Sequence, residues 1–267
     1  MEYAKGWLRL FAKNRSIIPP GSQLEKHGPA HIIPGTENVL SLDRVCCMRC
    51  LVWPSQAVDW PRRHRNYGWP DSSTADRVVS NGCDLVGVAH RQCRQHEWMG
   101  NNQHTLSFSR AEVVLINSWT PVQQIVYHML RVFVKAEKST VGADNPELGT
   151  LSNYHIKTLM LWVCELKSLS WWTDDLCLIR ICVNLLHTLA VWLTEARCSH
   201  YFINDCNLVD KPLDITIAYR MQSTDKVSLT IWFVRNYIRK LCSLDISELF
   251  NDNNMRIMLQ SFCFSCC

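Results

Sequence analysis

The chain has 267 residues, of which 47% are hydrophobic and 19% charged, with a formal net charge of +4. This length can bury a sizeable core, and the composition excludes an intrinsically disordered chain. The small positive charge permits contact with phosphates or acidic lipid but argues for neither.

The first hundred residues carry the strand-like patterns. Residues 1–20 are basic and partly amphipathic, and residues 21–38 are rich in Gly and Pro, as expected of a loop. The run 39–53 is rich in Val, Leu and Cys and predicts a strand or a bent hairpin arm, interrupted by Asp43. A further strand is predicted over Cys83 to Ala89.

Between these strands the sequence predicts irregular structure and one short helix. Each proline after a tryptophan, from Pro54 to Pro70, marks a break in regular structure. The basic cluster of Arg62, Arg63, His64 and Arg65 predicts a solvated surface patch. The spacing of Ser73 and Asp76 predicts a capping box that begins a short helix ending at Asn81-Gly82.

After residue 105 the patterns become helical. Ser109 is predicted to cap a helix with Glu112 at its third position. Thr120, Pro121 and Gln123 repeat this arrangement for a second helix that runs to about Lys135. Residues 138–149 are expected to form an exposed loop.

The remaining helices are predicted from apolar spacing and from their caps. A third helix follows Ser152, and a fourth runs from about Asp174 to Glu195 with Thr173 as its cap. Further helices are expected near Pro212 and Val227. The fourth contains Arg180, Asn184 and His187, which are costly in a bilayer, so we expect no transmembrane segment.

Fourteen cysteines leave a choice between thiols, disulfides and metal. The first residues lack the pattern of a secretory signal, so reduced thiols and an intracellular protein of the cytoplasm or nucleus are expected. Cys47 and Cys50, together with Cys263 and Cys266, could form a four-thiolate zinc site. Strand alternation argues against this alternative, because it points Cys47 and Cys50 to opposite faces.

Several motifs occur in an order that resembles one known family. They are Asp43 leading to Trp53-Pro54, Trp60-Pro61-Arg62-Arg63, Gly68-Trp69-Pro70, Gly82-Cys83, Ser107-Phe108-Ser109 with Ala111-Glu112, Tyr154-His155-Ile156-Lys157-Thr158-Leu159 and His200-Tyr201-Phe202-Ile203. Over roughly residues 28 to 210 the chain resembles the Mab-21-like family, which includes cyclic GMP–AMP synthase.

The resemblance implies an α+β fold. A nucleotidyltransferase-type mixed sheet, present here only in part, would be followed by a mostly helical lobe of the helix-hairpin-helix or helix–two-turn–helix kind. We therefore predict a partial nucleotidyltransferase-like lobe over 1–105, a helical lobe over 106–250 and an irregular cysteine-rich tail over 251–267.

The resemblance also implies where catalysis would occur. Nucleotidyl transfer needs carboxylates that hold two metal ions, and Asp43 matches the third of them, which makes it the catalytic and metal-binding candidate. The first two form an acid-x-acid pair in active members. Upstream of Asp43 the chain has only Glu2, Glu25 and Glu37, and none of them forms such a pair. One carboxylate cannot assemble a two-metal site, so Mg²⁺ or Mn²⁺ is expected only if the protein is catalytically competent.

A nucleotide site is implied in the same way. Ser107 and Ser109 would face the base or phosphates, Tyr154 would stack on a base, and Ser152, Asn153 and Lys157 would lie beside it. The alternative is structural, with Ser109 and Ser152 as helix caps and Tyr154 as packing.

The cysteine-containing thumb of the DNA-sensing synthase has no counterpart in the sequence. Residues 111–135 contain no cysteine, and His128 is their only histidine. We therefore expect no zinc thumb and no specific recognition of double-stranded DNA.

Three functions remain as hypotheses. The first is a non-catalytic member with a vestigial cleft for a nucleotide or a protein partner. The second is a nucleotidyltransferase that forms a cyclic dinucleotide, like an innate immune sensor, whose N-terminal catalytic part is missing from this chain. The third is a developmental or structural protein-interaction module. If a site exists, Asp43 should lie on a strand facing a cleft, with Ser107, Tyr154 and Lys157 across from it.

Overall fold

The structure is a computed structural model, and the residues it describes fall into two compact units. These residues are 25–27, 30–33, 42–45, 47–87, 104–140, 151–173, 178–209, 215–225, 228–229 and 231–232. The first unit consists of Met1–Val52 and Gly82–Arg110, and the second of Trp53–Asn81 and Ala111–Cys267. We call them the strand unit and the helical unit.

The strand unit contains two three-stranded antiparallel sheets among its described residues. Their strands are β1 (Glu25–His27), β2 (Ala30–Ile33), β3 (Leu42–Val45), β4 (Cys47–Cys50), β5 (Cys83–Gly87) and β6 (His104–Ser107). The strand orders are β1-β2-β3 and β4-β5-β6. The predicted strand run 39–53 therefore supplies two strands, β3 and β4, to two different sheets. Strands β1 and β2 lie within residues 21–38, so the loop expected there is wrong for these residues, and β6 was not predicted either. Runs of three or four residues are too short for alternation to be recognised.

The helical unit carries almost all of the helical residues. The helices of the described chain are α1 (Ser72–Asn81), α2 (Ser109–Asn117), α3 (Pro121–Thr140), α4 (Asn153–Leu166), α5 (Leu169–Thr173), α6 (Leu178–Thr194) and α7 (Ile215–Gln222). Helix α2 begins two residues before the helical unit. Strands and helices together give the predicted α+β class. None of the described helices is long and apolar enough to cross a membrane.

Helix α3 confirms its predicted start and corrects its predicted end. The Thr120 N–H donates to Gln123 Oε1 at 2.8 Å, and the Gln123 N–H donates to Thr120 Oγ1 at 3.3 Å, so both halves of the capping box are present. The helix continues to Thr140, although a loop was predicted from residue 138. The extension follows from the absence of Gly or Pro after Lys135 until Gly142.

Helix α1 is capped by a different residue from the one predicted. The Asp71 carboxylate accepts hydrogen bonds from the Thr74 N–H at 3.0 Å, the Ser73 hydroxyl and the Thr74 hydroxyl. These bonds hold the pKa of Asp71 far below its usual range. Ser73 is therefore a donor to the cap rather than the cap itself, and the expected box with Asp76 is wrong. An ionised carboxylate at a helix N-terminus is also favoured by the helix dipole.

The described part of the fourth predicted helix is α6, and the residue predicted as its cap belongs to another helix. Thr173 is the last residue of α5 and so belongs to a helix itself, while α6 begins at Leu178 and ends at Thr194, close to the predicted end. Residues 174–177 lie outside the described residues. So do residues 1–20, Cys263 and Cys266, and the whole cysteine-rich tail.

The core of the helical unit joins residues that are distant in sequence. Helices α4 and α6 bury rows of aliphatic side chains, including Leu159 and Leu186. The fully buried Trp60 packs its ring 5.2 Å from that of Phe202 and 6.1 Å from that of Tyr201. The proline-rich segment before α1 is therefore part of the same core as the helices.

Candidate functional site

The family resemblance implied six residues as nucleotide contacts, and four of them lie at the start of α4: Ser152, Asn153, Tyr154 and Lys157. Ser152 occupies the extended N-cap position, as predicted, and its N–H donates to His155 Nδ1 at 2.9 Å. Asn153 is exposed, whereas Tyr154 and Lys157 are half-buried. Because residues three apart share one face of a helix, Tyr154 and Lys157 lie side by side, with the Lys157 ammonium 4.8 Å from the Tyr154 ring centroid.

The Lys157 ammonium is paired with a buried carboxylate. It donates to Glu112 Oε2 at 2.5 Å, and the Glu112 side chain is only 7% exposed. Glu112 was predicted to complete a capping box with Ser109, and that prediction is wrong: the described residues contain no such bond. A buried carboxylate requires a partner of opposite charge, and the cation of α4 supplies it.

The Tyr154 hydroxyl is held by His200. Its oxygen lies 3.1 Å from His200 Nε2, while His200 Nδ1 accepts the backbone N–H groups of Phe202 and Ile203, both at 3.0 Å. Since Nδ1 accepts two hydrogen bonds, we assign the ring proton to Nε2, from which it is donated to Tyr154. Burial lowers the pKa of His200 to about 4, so the ring is neutral near pH 7. Burial, followed by the charge of Glu112, raises the pKa of Tyr154.

The other site residues that the resemblance implied, Asp43, Ser107 and Ser109, belong to the strand unit. Asp43 lies in β3 opposite Ile32, as the strand prediction required, but the direction of its side chain lies outside the described part of the structure. Ser107 is the last residue of β6 and is half-buried, and Ser109 is the exposed first residue of α2. The predicted arrangement of these residues across a cleft from Tyr154 and Lys157 remains a prediction.

A buried carboxylate that the sequence analysis did not single out lies opposite Ser107. Asp84 of β5 is the cross-strand partner of Ser107 and is 4% exposed. The Arg110 Nε donates to both of its carboxylate oxygens, at 3.0 and 3.2 Å. The sequence feature that could have identified Asp84 is an acidic residue inside an otherwise apolar strand, which is also the feature by which Asp43 was noticed.

The predicted solvated patch of basic residues is wrong for two of its members. The Arg63 guanidinium donates to Glu165 at 3.2 Å and to the Tyr201 carbonyl at 2.7 Å, and it lies 4.5 Å from the Trp162 ring centroid. Arg65 contributes a second cation, 3.6 Å from Glu165. Only Arg62 and His64 are exposed as expected.

The physical reason for this difference is Glu165. Its side chain is 3% exposed and also accepts the Tyr201 hydroxyl at 2.7 Å. Burial and the adjacent Glu165 charge together raise the pKa of Tyr201 well above its ordinary value. A carboxylate at this depth needs cations, and Arg63 and Arg65 provide them from 100 or more residues away in sequence.

Among the described residues, the buried carboxylates of these sites are each paired with a lysine or an arginine, so their charges are neutralised within the protein. No group of three or more His, Cys, Asp or Glu residues in the described part of the chain is arranged to hold a metal ion. His128 is exposed on α3, as expected. Glu112, Lys157, Tyr154 and His200 form one continuous set of contacts at the start of α4, which we call the α4 cluster.

Comparison with known proteins gives two adjacent domain matches. Residues 14–118 match the Mab-21 protein nucleotidyltransferase domain, and residues 119–225 match the Mab-21 protein HhH/H2TH-like domain. Similar curated proteins are Protein male abnormal 21 of Caenorhabditis briggsae and of Caenorhabditis elegans, and Protein mab-21-like of Drosophila melanogaster.

These relatives are distant and longer than the matched region. The C. briggsae protein is 25% identical over 186 residues, which cover 67% of this chain and 48% of the relative. The C. elegans protein is 27% identical over 63% of this chain and 45% of its own length. The Drosophila protein is 26% identical over 57% and 40%. The matched region of this chain thus spans less than half the length of each relative.

Proposed function

Since this chain belongs to the Mab-21 family, we propose that it acts as a non-catalytic member whose helical unit binds a ligand or a protein partner. The observation that carries this proposal is the pairing of Lys157 with the buried Glu112. An ammonium that already compensates a buried carboxylate attracts a triphosphate less strongly than an unpaired ammonium does. Here the ammonium compensates a protein carboxylate, which would itself repel phosphate at short range.

The acids of the chain support the same proposal. Two-metal nucleotidyl transfer requires several carboxylates around the reacting phosphate. Of the acids before Trp53, only Asp43 matches the family pattern, and no acid-x-acid pair precedes it. Asp84, the buried acid opposite Ser107, is already compensated by Arg110.

A turnover assay tests this proposal directly. The chain is incubated with ATP, GTP, Mg²⁺ or Mn²⁺ and double-stranded nucleic acid, and the products are separated by chromatography. We expect neither linear nor cyclic dinucleotide. Product that is lost in Asp43→Ala but kept in the exposed-site control Asp76→Ala would overturn the proposal and favour the cyclic-dinucleotide-forming alternative.

Nucleotide binding without turnover is a second candidate, favoured by the α4 cluster. Tyr154 offers a half-buried aromatic ring beside Lys157 and Ser152, which are polar groups of the kind that orient a base. Calorimetric titration with ATP and GTP in EDTA separates this candidate from a protein-binding role. Binding that weakens at least tenfold in Tyr154→Ala, but not in Tyr219→Ala on α7, supports it, and no heat of binding excludes it.

A further inference from the structure

Two free cysteines face each other across neighbouring strands of the strand unit. Cys50, the last residue of β4, is the register partner of Cys83, the first residue of β5. Directly opposed residues of antiparallel strands have Cα atoms about 4.5–5.5 Å apart and side chains on the same face. A disulfide spans Cα separations of about 4.4–6.8 Å, so this pair can be bridged without moving either strand.

The environments of the two thiols differ in a way that gives them distinct roles. Cys83 is buried, and its burial together with the neighbouring Cys50 thiol raises the pKa of Cys83 to about 11. Cys50 is half-buried and is therefore the thiol that a reagent in solution reaches first. Cys83 is placed to attack Cys50 once the latter has been modified.

A disulfide between Cys50 and Cys83 would have a structural consequence because of where the two residues lie in the chain. After Cys50 the chain leaves the strand unit at Val52, contributes Trp53–Asn81 to the helical unit, and returns at Gly82. The backbone at Gly82 approaches that of Cys50 so closely that an added Cβ would lie 2.1 Å from the Cys50 carbonyl oxygen. The exit and the return of this segment therefore meet at the cysteine pair.

We propose that Cys50 and Cys83 form a reversible disulfide that closes the segment of residues 51–82 into a covalent loop.

The oxidant is a low-molecular-weight disulfide of the glutathione class. The Cys50 thiolate attacks one sulfur of oxidised glutathione, forms a mixed disulfide and releases one glutathione thiolate. The deprotonated Cys83 then attacks Cys50 Sγ and releases the second glutathione. Two cysteine thiols are oxidised and one glutathione disulfide is reduced to two glutathione thiols, which take up the two protons that the cysteines lose.

Peptide mapping of the intact chain tests the bond itself. The folded protein is equilibrated in buffers of rising oxidised-to-reduced glutathione ratio, quenched in acid, alkylated and digested with trypsin without reduction. Trypsin separates Cys50 in peptide 50–62 from Cys83 in peptide 78–91, and both from Cys46 and Cys47, because Arg44, Arg49, Arg62 and Arg77 lie between them. We expect the linked pair 50–62/78–91 to accumulate with the ratio and to disappear with dithiothreitol.

Thermal unfolding of the same samples tests the closed loop. Closing the 32 residues from 51 to 82 should raise the unfolding temperature on the order of 10 °C in the oxidised protein. The rise should vanish in Cys50→Ser and persist in Cys206→Ser, a matched half-buried thiol of the helical unit. In Cys83→Ala, Cys50 should stop at the mixed disulfide with glutathione.

Three outcomes would overturn the proposal. The first is no linked peptide at the highest ratio, and the second is linkage of Cys50 to the 45–49 peptide instead. The third is a thermal shift that survives in Cys50→Ser. All three are read in the wild-type chain or in a variant at a half-buried site, so none depends on a core substitution folding correctly.

Discussion

Glu165 is the residue on which the buried charges of the helical unit converge. It lies on α4, is 3% exposed, and receives Arg63, Arg65 and the Tyr201 hydroxyl. Arg63 also stacks on Trp162, so it contributes packing as well as charge. Buried ions of this kind are weak evidence of net stabilisation, but removing one partner leaves an uncompensated charge.

We predict that Arg63→Ala lowers the free energy of unfolding by about 3–5 kcal/mol, the usual effect of breaking a buried ion pair. The loss arises because Glu165 would remain buried with only the more distant Arg65 as its cation. Urea unfolding followed by circular dichroism measures it. Arg62→Ala, at an exposed position of the same cluster, should change stability by less than about 0.5 kcal/mol. Equal effects of the two variants would contradict the network.

His200 makes the stability of the chain depend on pH. Burial lowers the pKa of the folded-state ring from 6.5 to about 4, so between these values the unfolded chain binds a proton that the folded chain does not. The contribution is fully present above pH 6.5 and is lost as the pH falls towards 4. A shift of this size corresponds to roughly 3 kcal/mol.

This dependence is measured as the difference between wild type and His200→Gln in urea titrations from pH 7.5 to pH 4. We expect wild type to lose more stability than His200→Gln across this range. Exposed His128→Gln serves as the control and should follow wild type. Parallel curves for wild type and His200→Gln would show that protonation of His200 is not coupled to folding.

At the scale of elements, the junction between α1 and β5 depends on one glycine. Gly82 has a φ of +63°, in the left-handed region that favours glycine after a helix. Its missing side chain also leaves space for the Cys50 carbonyl and for the backbone of Leu51. Strain and steric exclusion therefore coincide at this position.

Gly68 provides a control in which only the strain is present. Its φ is +68°, and no atom lies within 4 Å of an added Cβ. We predict that Gly68→Ala costs about 1–2 kcal/mol, from the left-handed conformation alone. Gly82→Ala should cost distinctly more, because the β4–β5 pairing must open to admit the methyl group. Similar unfolding temperatures for the two variants would contradict the close approach at Gly82.

The helix starts show which parts of an element can be predicted from sequence. Thr120 with Gln123 and Ser152 were predicted correctly, because a cap involves residues three positions apart and is encoded locally. The same rule failed at Ser109, where Glu112 pairs with Lys157, and at Ser73, where Asp71 provides the acceptor. The three-residue spacing of a capping box is necessary for the cap hydrogen bond. Where the fold supplies a stronger partner, the side chain binds that partner instead.

At the scale of the whole molecule, the two compact units do not follow the order of the chain. Residues 53–81 precede β5 and β6 in sequence but belong to the helical unit. Trp60 is fully buried there, with the Arg65 guanidinium 4.7 Å from its ring centroid and Tyr201 and Phe202 against its faces or edges. The tryptophan-rich segment is thus a structural component of the helical unit.

We predict that Trp60→Ala lowers the stability of the helices by about 3–5 kcal/mol, the usual effect of deleting a large buried aromatic side chain. The measurement is urea unfolding followed at 222 nm, where the signal comes mainly from helices outside residues 53–81. Val52→Ala, at a 74% exposed residue of the strand unit, should leave the midpoint unchanged. An unchanged midpoint in Trp60→Ala would mean that residues 53–81 unfold independently of the helices.

The sequence by itself determined the family motifs, the starts of α3 and α4 and the strands within residues 39–53 and 83–87, and the resemblance carried by the motifs implied the α+β class. The helix starts and the strands depend on capping spacings, glycine and proline positions and apolar patterns, all of which act over a few neighbouring residues. Only the tertiary structure decided which charges and thiols meet. Glu165 lies 102 residues from Arg63, Glu112 lies 45 from Lys157, and Cys50 faces Cys83 across a sheet. With 28 basic and 24 acidic residues in the chain, composition allows many pairings, and burial of a few of these groups selects the pairs that form.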